Sequence, residues 1–164
     1  MKKSLTPDEA LFRAAAYCST GEKCRSDIAE KLGKWGIARD KAALIIEHLE
    51  NEGYINEQRY CRSFVNDKIK FDGWGRTKIV YVLKQKGLPA TYINEAITHI
   101  DDEEYKNRLE DLLNKKRKTL RSDDERNIRA KLMRFASSRG FELPYIYKIL
   151  GRTGAPDEEY DYDD

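Results

Sequence analysis

Three glycines recur at nearly constant spacing in this chain of 164 residues, and they constrain its fold more than any other feature. Gly36, Gly87 and Gly140 lie 51 and 53 residues apart. Apolar residues stand eight and four residues before each glycine, and one and six residues after it. Eight residues before the three glycines stand Ile28, Ile79 and Leu132, and four before stand Leu32, Leu83 and Ala136. One residue after stand Ile37, Leu88 and Phe141, and six after stand Ala42, Ile93 and Ile146. This spacing predicts one helix entering each glycine and another leaving it, each with one apolar face.

Glycine suits such a corner because many helices end on a residue in the left-handed conformation, which costs other residues about 1 kcal/mol or more. A further helix precedes each pair, at about residues 7–20, 57–71 and 102–119. Helical spacing of apolar residues continues almost throughout, and alternating β-branched runs are missing. We therefore predict an all-α fold of three tandem three-helix repeats, at residues 1–53, 54–101 and 102–151. An acidic tail that we expect to be disordered follows at 152–164.

Two segments resemble capping boxes, in which a side chain and a carboxylate satisfy the first free amides of a helix. They are Thr6-Pro7-Asp8-Glu9 and Ser122-Asp123-Asp124-Glu125. The first also places proline at the first helical position, where its missing N–H costs nothing. Both segments predict helix starts.

A three-helix repeat of about 50 residues has a marginal core, so neighbouring repeats are expected to pack into an elongated, curved array. Charged residues make up 37 % of the chain, which suits a large surface per unit of core. A small-angle scattering measurement should give a radius of gyration above the roughly 15 Å of a compact chain of this length. A value at or below that figure would exclude the elongated array.

Several classes of protein are excluded by simple patterns. No apolar run approaches the roughly 20 residues that cross a bilayer, and the start at Met1 leads directly into charged helix, so we expect a cytoplasmic protein. Cys18, Cys24 and Cys61 form no CxxC pair and are interpreted as small buried residues rather than a zinc site or disulfide framework. Neither a phosphate-binding loop nor a nucleophile and base is present. We expect no enzyme activity, no cofactor and no metal.

The net charge of +2 conceals an uneven distribution. Residues 157–164 hold six acids and no base, so the other 156 residues carry 31 bases against 23 acids, a net charge of +8. Segment 75–87 contains four bases and segment 126–139 contains five, and neither contains an acid. Such acid-free basic helices favour an anionic partner, either nucleic acid or an acidic protein surface.

The order helix, corner, helix also suggests a DNA-reading helix-turn-helix, but the residues argue against it. Segment 90–100, which follows the second corner, has no lysine or arginine, and segment 142–150 has only Lys148. A base-reading helix normally carries such residues. Any DNA binding should therefore use the second helix of a repeat and show little sequence preference.

Four groups of residues resemble the RecX recombination regulators of bacteria. They are Arg25-Ser26 with Ile28, Leu32 and Gly36-Ile37; Gly53-Tyr54-Ile55-Asn56-Glu57 with Arg59-Tyr60, Phe64 and Lys68; Gly75-Arg76 with Ile79, Leu83 and Lys86-Gly87-Leu88; and Arg139-Gly140-Phe141 with Ile146. The resemblance covers residues 8–151 and is specific in combination. Asn56 and Cys61 depart from the family pattern, and the acidic tail lies outside it.

The resemblance implies a non-enzymatic regulator of recombination and DNA repair that lies along the groove of the RecA–DNA filament and inhibits ATP hydrolysis and strand exchange. Charge placement together with that binding mode indicates a set of RecA or DNA contacts. The set consists of Arg25, Lys68, Lys70, Arg76, Lys78, Lys84, Lys86, Arg129, Lys131, Arg134 and Arg139. We expect a monomer whose partner is the RecA filament on DNA, with weak direct DNA binding. Two alternatives remain: a helical repeat that binds nucleic acid without RecA and without sequence preference, and a plain protein–protein adaptor.

Overall fold

Nine α-helices and one π-helical turn form the part of the chain that the computed structural model describes, residues 4–121 and 124–151. The elements are α1 (Pro7–Cys18), α2 (Arg25–Lys34), α3 (Arg39–Asn51), α4 (Glu57–Asp67), the π-turn (Lys68–Asp72), α5 (Arg76–Gln85), α6 (Ala90–Thr98), α7 (Asp102–Thr119), α8 (Glu125–Ser138) and α9 (Leu143–Leu150). That part has no strand, so the all-α prediction is confirmed. None of its helices is long and apolar enough to cross a membrane. The predicted acidic tail lies outside the described residues.

The three glycine corners have the same local geometry, as the repeat predicts. Gly36, Gly87 and Gly140 have φ angles of 80°, 81° and 92°, in the left-handed region. At the third corner the Phe141 amide donates to the Ala136 carbonyl at 3.1 Å, and the Gly140 amide donates to Ser137 at 3.0 Å. The same pair of bonds closes the other two corners. This pattern satisfies the last carbonyls of the entering helix and turns the chain.

The apolar positions of the repeat form the core, again as predicted. The residues eight and four before each glycine are all fully buried. The residue at the sixth position after each glycine is buried too. Leu88 and Phe141, which directly follow the second and third glycines, are also buried. Only Ile37, at the first corner, is half-buried.

The helices group into two compact units. The first unit contains the described part of residues 1–65 together with 82–98. A single apolar cluster fills much of it, with Ala10, Ala14, Ile28, Leu32, Ala42, Ile45, Ile46, Leu49 and Ile55. The predicted repeat boundaries at 53 and 101 stay a prediction.

The second unit contains residues 66–81 and the described part of 99–164. Its buried side chains come mainly from α7, α8 and α9, and include Tyr105, Leu109, Leu132, Phe141 and Ile146. The Tyr105 and Phe141 rings pack with centroids 5.3 Å apart. Tyr105 carries a hydroxyl into this core, where it needs polar partners.

The helix starts agree with the capping signals in one case and differ in the other. At α1 the Thr6 hydroxyl accepts from the Glu9 amide and the Glu9 carboxylate accepts from the Thr6 amide, both at 3.2 Å, so the first box is confirmed. At α8 the cap is Asp124, which accepts from the Arg126 amide at 3.0 Å. The predicted cap Ser122 lies outside the described residues. Asp124 stands directly before the first residue of α8, which is the position from which a side chain can accept from the first free amides.

The helix predicted at 57–71 changes geometry near its end. Regular α-helix stops at Asp67, and the chain continues as the π-turn. Gly73 ends it with a φ of 65°, and the Trp74 amide donates to the Lys68 carbonyl at 3.0 Å. The wider turn leaves Phe71 exposed while Ile69 is buried.

Candidate functional site

The start of α5 rests directly on the third glycine corner. The Gly75 amide donates to the Arg139 carbonyl at 2.8 Å, and the Thr77 amide donates to the Gly140 carbonyl at 3.0 Å. These two bonds satisfy amides at the N-terminus of α5 that no helical carbonyl can reach. A Cβ on Gly75 would lie 2.4 Å from the Gly140 carbonyl atoms, and a Cβ on Gly140 would lie 2.4 Å from the Lys78 Cβ. Only glycine at both positions permits this approach.

Arg76, the first residue of α5, is held by two carboxylates. Its guanidinium lies 3.1 Å from Glu142 and 3.4 Å from Asp102. The same group stacks on the Tyr105 ring, 4.0 Å from the centroid. Only 18 % of the Arg76 side chain is exposed. This predicted contact residue is therefore committed to partners within the second unit.

Tyr105 connects Arg76 to Glu142 through its hydroxyl, so that the three residues form one network with Asp102. Its hydroxyl accepts from the Arg76 amide at 3.0 Å and donates to the Glu142 carboxylate. Burial opposes the charged guanidinium, but hydrogen bonds to Tyr145 and Glu142 outweigh it and raise the pKa of Arg76. Hydrogen bonds from Tyr145 and Lys106 lower the pKa of Asp102 to about 2. Each polar side chain of the network thus has a hydrogen-bonding or ionic partner within it, as a partly buried ionic cluster requires.

Two predicted lysines share one indole ring. The Lys68 ammonium lies 4.7 Å and the Lys78 ammonium 4.3 Å from the Trp74 ring centroid. Lys68 also pairs with Asp72 at 2.8 Å, which neutralises that carboxylate. In the sequence these lysines belong to separate predicted helices, and no pattern predicts that both meet Trp74.

Two other predicted residues, Lys70 and Arg139, line an open cleft of about 340 Å³ beside the π-turn. Arg108 and Lys115 of α7 complete its basic rim. Its remaining lining residues are Ile69, Phe71, Asp72, Gly73, Asp111, Leu112 and Phe141. The cleft thus combines apolar surface with four basic side chains.

The predicted residues of the first unit are partly occupied by internal pairs. The Lys86 ammonium lies 2.8 Å from Asp27. Burial would lower the pKa of Lys86, but its hydrogen bonds to Asp27 and Tyr60 raise it above the usual value. Arg25 lies 3.1 Å from Glu50 while remaining half exposed. Lys86 has a structural role, whereas Lys84 is exposed at the end of α5.

On α8, the three predicted residues differ in exposure. Arg134 is exposed, and Arg129 and Lys131 are half-buried. Among the described residues, neither Lys131 nor Arg134 has an acidic partner within 4 Å. These two cations, with Lys84, are the predicted residues best placed to meet an external anion.

The cysteines are unsuited to thiolate chemistry. Burial raises the pKa of Cys61 to about 11, and burial also raises the pKa of Cys18 and of Cys24. Cys24 and Cys61 are buried as predicted, but Cys18 is half-buried because the end of α1 is only partly covered. Within residues 4–121 and 124–151, no group of three or more histidine, cysteine or acidic side chains could hold a metal ion.

Comparison with known proteins places these features in a family. The family description "RecX, second three-helix domain" matches residues 56–97, and "RecX, third three-helix domain" matches residues 102–150. The chain belongs to the RecX family. Ten of the eleven predicted contact residues lie in these two RecX domains, Arg25 being the exception.

Curated RecX proteins agree with this assignment. The chain is 34 % identical over 130 residues to the regulatory protein RecX of Clostridium botulinum (strain Eklund 17B / Type B), an alignment that covers 78 % of this chain and 60 % of the relative. It is 28 % identical over 145 residues to the regulatory protein RecX of Prosthecochloris aestuarii, which covers 87 % of this chain and 91 % of the relative. The chain thus spans about 60 % of the length of the clostridial relatives.

Solved structures show the same fold. A crystal structure of regulatory protein RecX superposes with a TM-score of 0.79 at 25 % identity, covering 88 % of this chain and 72 % of that one. The crystal structure of RecX from Lactobacillus salivarius gives 0.72 at 23 % identity, covering 88 % and 94 %. The helical repeat of the prediction is therefore the RecX fold.

Three residues of the cleft, Phe71, Arg108 and Lys115, are not among the predicted contact residues. Arg108 stands among acids in α7, so no charge run marks it, and Lys115 belongs to a run that also suits a helix C-terminus. Nothing in the segment Lys68–Asp72 signals a π-turn. These residues are brought together only by the packing of α7 beside that turn.

Proposed function

We propose that this chain inhibits RecA by lying along the groove of the RecA–DNA filament, where it blocks ATP hydrolysis and strand exchange without catalysing a reaction itself. The observation that carries the proposal is the location of the basic residues Lys84, Lys131 and Arg134 within the RecX domains. Several weak contacts along a repeating partner act together through effective concentration. A small protein can therefore block a large assembly in the cytoplasm.

The first test is a titration of the chain onto preformed RecA filaments on single-stranded DNA. Increasing protein should progressively inhibit the DNA-dependent ATPase and strand exchange. If a saturating amount leaves both activities unchanged, the proposal is wrong.

Charge reversal identifies the contacts. The triple variant Lys84→Glu, Lys131→Glu, Arg134→Glu should need about tenfold more protein for half inhibition, because three attractive contacts become repulsive. The matched control is Arg13→Glu, Arg39→Glu, Lys41→Glu, which changes the net charge equally at exposed positions of α1 and α3. Circular dichroism checks that both variants are folded. If both variants lose inhibition to the same extent, net charge matters and these three positions do not.

The net charge of +8 on residues 1–156 supports a second candidate, direct nucleic-acid binding without RecA. This function predicts affinity for RecA-free DNA that falls steeply with salt, since bound lysines and arginines release counterions. It also predicts little discrimination between sequences. Salt-independent or absent DNA binding would reject this second candidate.

A further inference from the structure

The cleft beside the π-turn carries an exposed aromatic ring at its rim. Phe71 is 79 % exposed, although phenylalanine is normally buried. Its neighbour Ile69 is 8 % exposed and anchors the same turn in the core. The π-turn therefore presents one ring to solvent while its other apolar side chain holds the backbone.

Two arginines, one on α7 and one directly after α8, hold the backbone on both sides of Phe71. Arg108 of α7 donates to the Lys70 carbonyl at 3.4 Å, and Arg139 donates to the Asp72 carbonyl at 3.1 Å. Carbonyls at the end of a helical segment lack partners within it, so these bonds stabilise the turn. Arg108 and Arg139 are thus positioning residues that fix where the ring stands.

The charge of the cleft remains positive after its internal pairs are removed. Lys68 neutralises Asp72 at 2.8 Å, and Arg108 pairs with Glu104 at 3.5 Å. Lys70, Lys115 and Arg139 have no acidic partner within 4 Å among the described residues; the Arg139 guanidinium donates to the Asp72 carbonyl and lies 5.1 Å from the Phe135 ring centroid. Asp111 is the one acid of the lining that stays unneutralised. The cleft therefore offers about two surplus positive charges beside an exposed ring.

We propose that this cleft binds single-stranded nucleic acid, with a base stacked on Phe71 and phosphates held by Lys70 and Lys115. An aromatic platform beside a cationic groove is the usual means of binding single strands without sequence preference. A duplex keeps its bases stacked on each other and cannot offer one to Phe71. The proposal rests on the second candidate function, for which it names the site, and it does not require RecA.

The test uses the full chain and a fluorescently labelled oligothymidine of about 12 nucleotides, within the usual site size. Fluorescence anisotropy should show that Phe71→Ala weakens binding by about 5- to 100-fold, the effect of losing one stacked base. Phe71→Leu should lose as much, because it keeps apolar volume without a ring, and Phe71→Trp should retain binding. Phe12→Ala is the matched control, since Phe12 is 78 % exposed on α1.

The two lysines are tested by salt dependence. Lys70→Ala and Lys115→Ala should each reduce the slope of affinity against salt by about one phosphate contact. Lys41→Ala, at an exposed position of α3, should leave the slope unchanged.

Several results would overturn the proposal. Phe71→Ala could behave like Phe12→Ala, or Phe71→Leu could bind as well as the natural chain. A duplex of equal length could bind equally well and with the same sensitivity to Phe71. Alternatively, the cleft variants could weaken binding of a polyglutamate peptide and spare the oligonucleotide, which would assign the cleft to an acidic protein segment. Oligonucleotide binding that persists in the cleft variants would reject only this site, whereas unchanged RecA activities at saturation would reject only the RecA proposal.

Discussion

Gly140→Ala is expected to lower the unfolding free energy by about 4 kcal/mol, more than alanine at either of the other repeat glycines. Two costs combine at this position. Its φ of 92° lies in the left-handed region, which costs alanine about 1 kcal/mol. The added methyl group would also lie 2.4 Å from the Lys78 Cβ and 2.5 Å from its amide nitrogen, so α5 must move.

Three other glycines separate those two costs. Gly36 has a φ of 80° with no atom near its Cβ position, so Gly36→Ala should cost only about 1 kcal/mol. Gly75 has an ordinary φ but would clash with the Gly140 backbone at 2.4 Å, so Gly75→Ala should cost about 3 kcal/mol. Gly33, within α2, has neither problem, and Gly33→Ala should be neutral or stabilise the chain by about 0.5 kcal/mol.

Thermal unfolding followed by circular dichroism measures all four variants. Gly140→Ala should lower Tm by about 10 °C, at the usual 2–4 °C per kcal/mol for a chain of roughly this size. Gly36→Ala should lower it by about 3 °C. If Gly75→Ala and Gly33→Ala have the same Tm, the close approach of α5 to the third corner does not exist in solution.

The corners illustrate what a repeat in sequence can and cannot predict. Glycine spacing and helical periodicity predict the left-handed conformation at Gly36, Gly87 and Gly140, because a corner of this kind depends on residues only a few positions away. Burial of Ile28, Leu83 and similar positions follows from the same periodicity. The repeat does not predict that Gly140 alone meets another part of the chain. That contact joins it to Gly75, which is distant in sequence and belongs to no repeated motif.

The candidate site shows a similar division. Acid-free segments identify where lysine and arginine accumulate, but they do not distinguish a cation that meets solvent from one that pairs within the fold. Arg76 and Arg134 look alike in sequence, yet Arg76 is paired with Glu142, 66 residues away, while Arg134 is exposed. The cleft beside the π-turn depends on a local change of helix geometry that the residue types in Lys68–Asp72 do not predict. Tertiary pairing and backbone irregularity therefore decide which basic residues are available.

Arg76→Ala is accordingly expected to reduce stability rather than to report on binding. It should lower the unfolding free energy by about 2 kcal/mol, because it leaves the half-buried Glu142 carboxylate without its cation. The value lies below that of a fully buried pair because 28 % of the Glu142 side chain is exposed and water screens it. Arg76→Lys should lose about half as much, since an ammonium keeps the charge but cannot reach both carboxylates as a planar guanidinium does.

Urea denaturation compares these variants with Lys84→Ala, a change at an exposed lysine of the same helix that should stay within about 0.5 kcal/mol of the natural chain. Tyr105→Phe should cost about 1–2 kcal/mol, because its hydroxyl serves both the Arg76 amide and Glu142. Equal stability of Arg76→Ala and Lys84→Ala would contradict the network. Charge reversal at Arg76 destabilises the fold, so any loss of RecA inhibition would reflect loss of folded protein. It therefore cannot distinguish a filament-binding surface from an adaptor. Reversal at Arg134 can, because that side chain is exposed and has no acidic partner among the described residues.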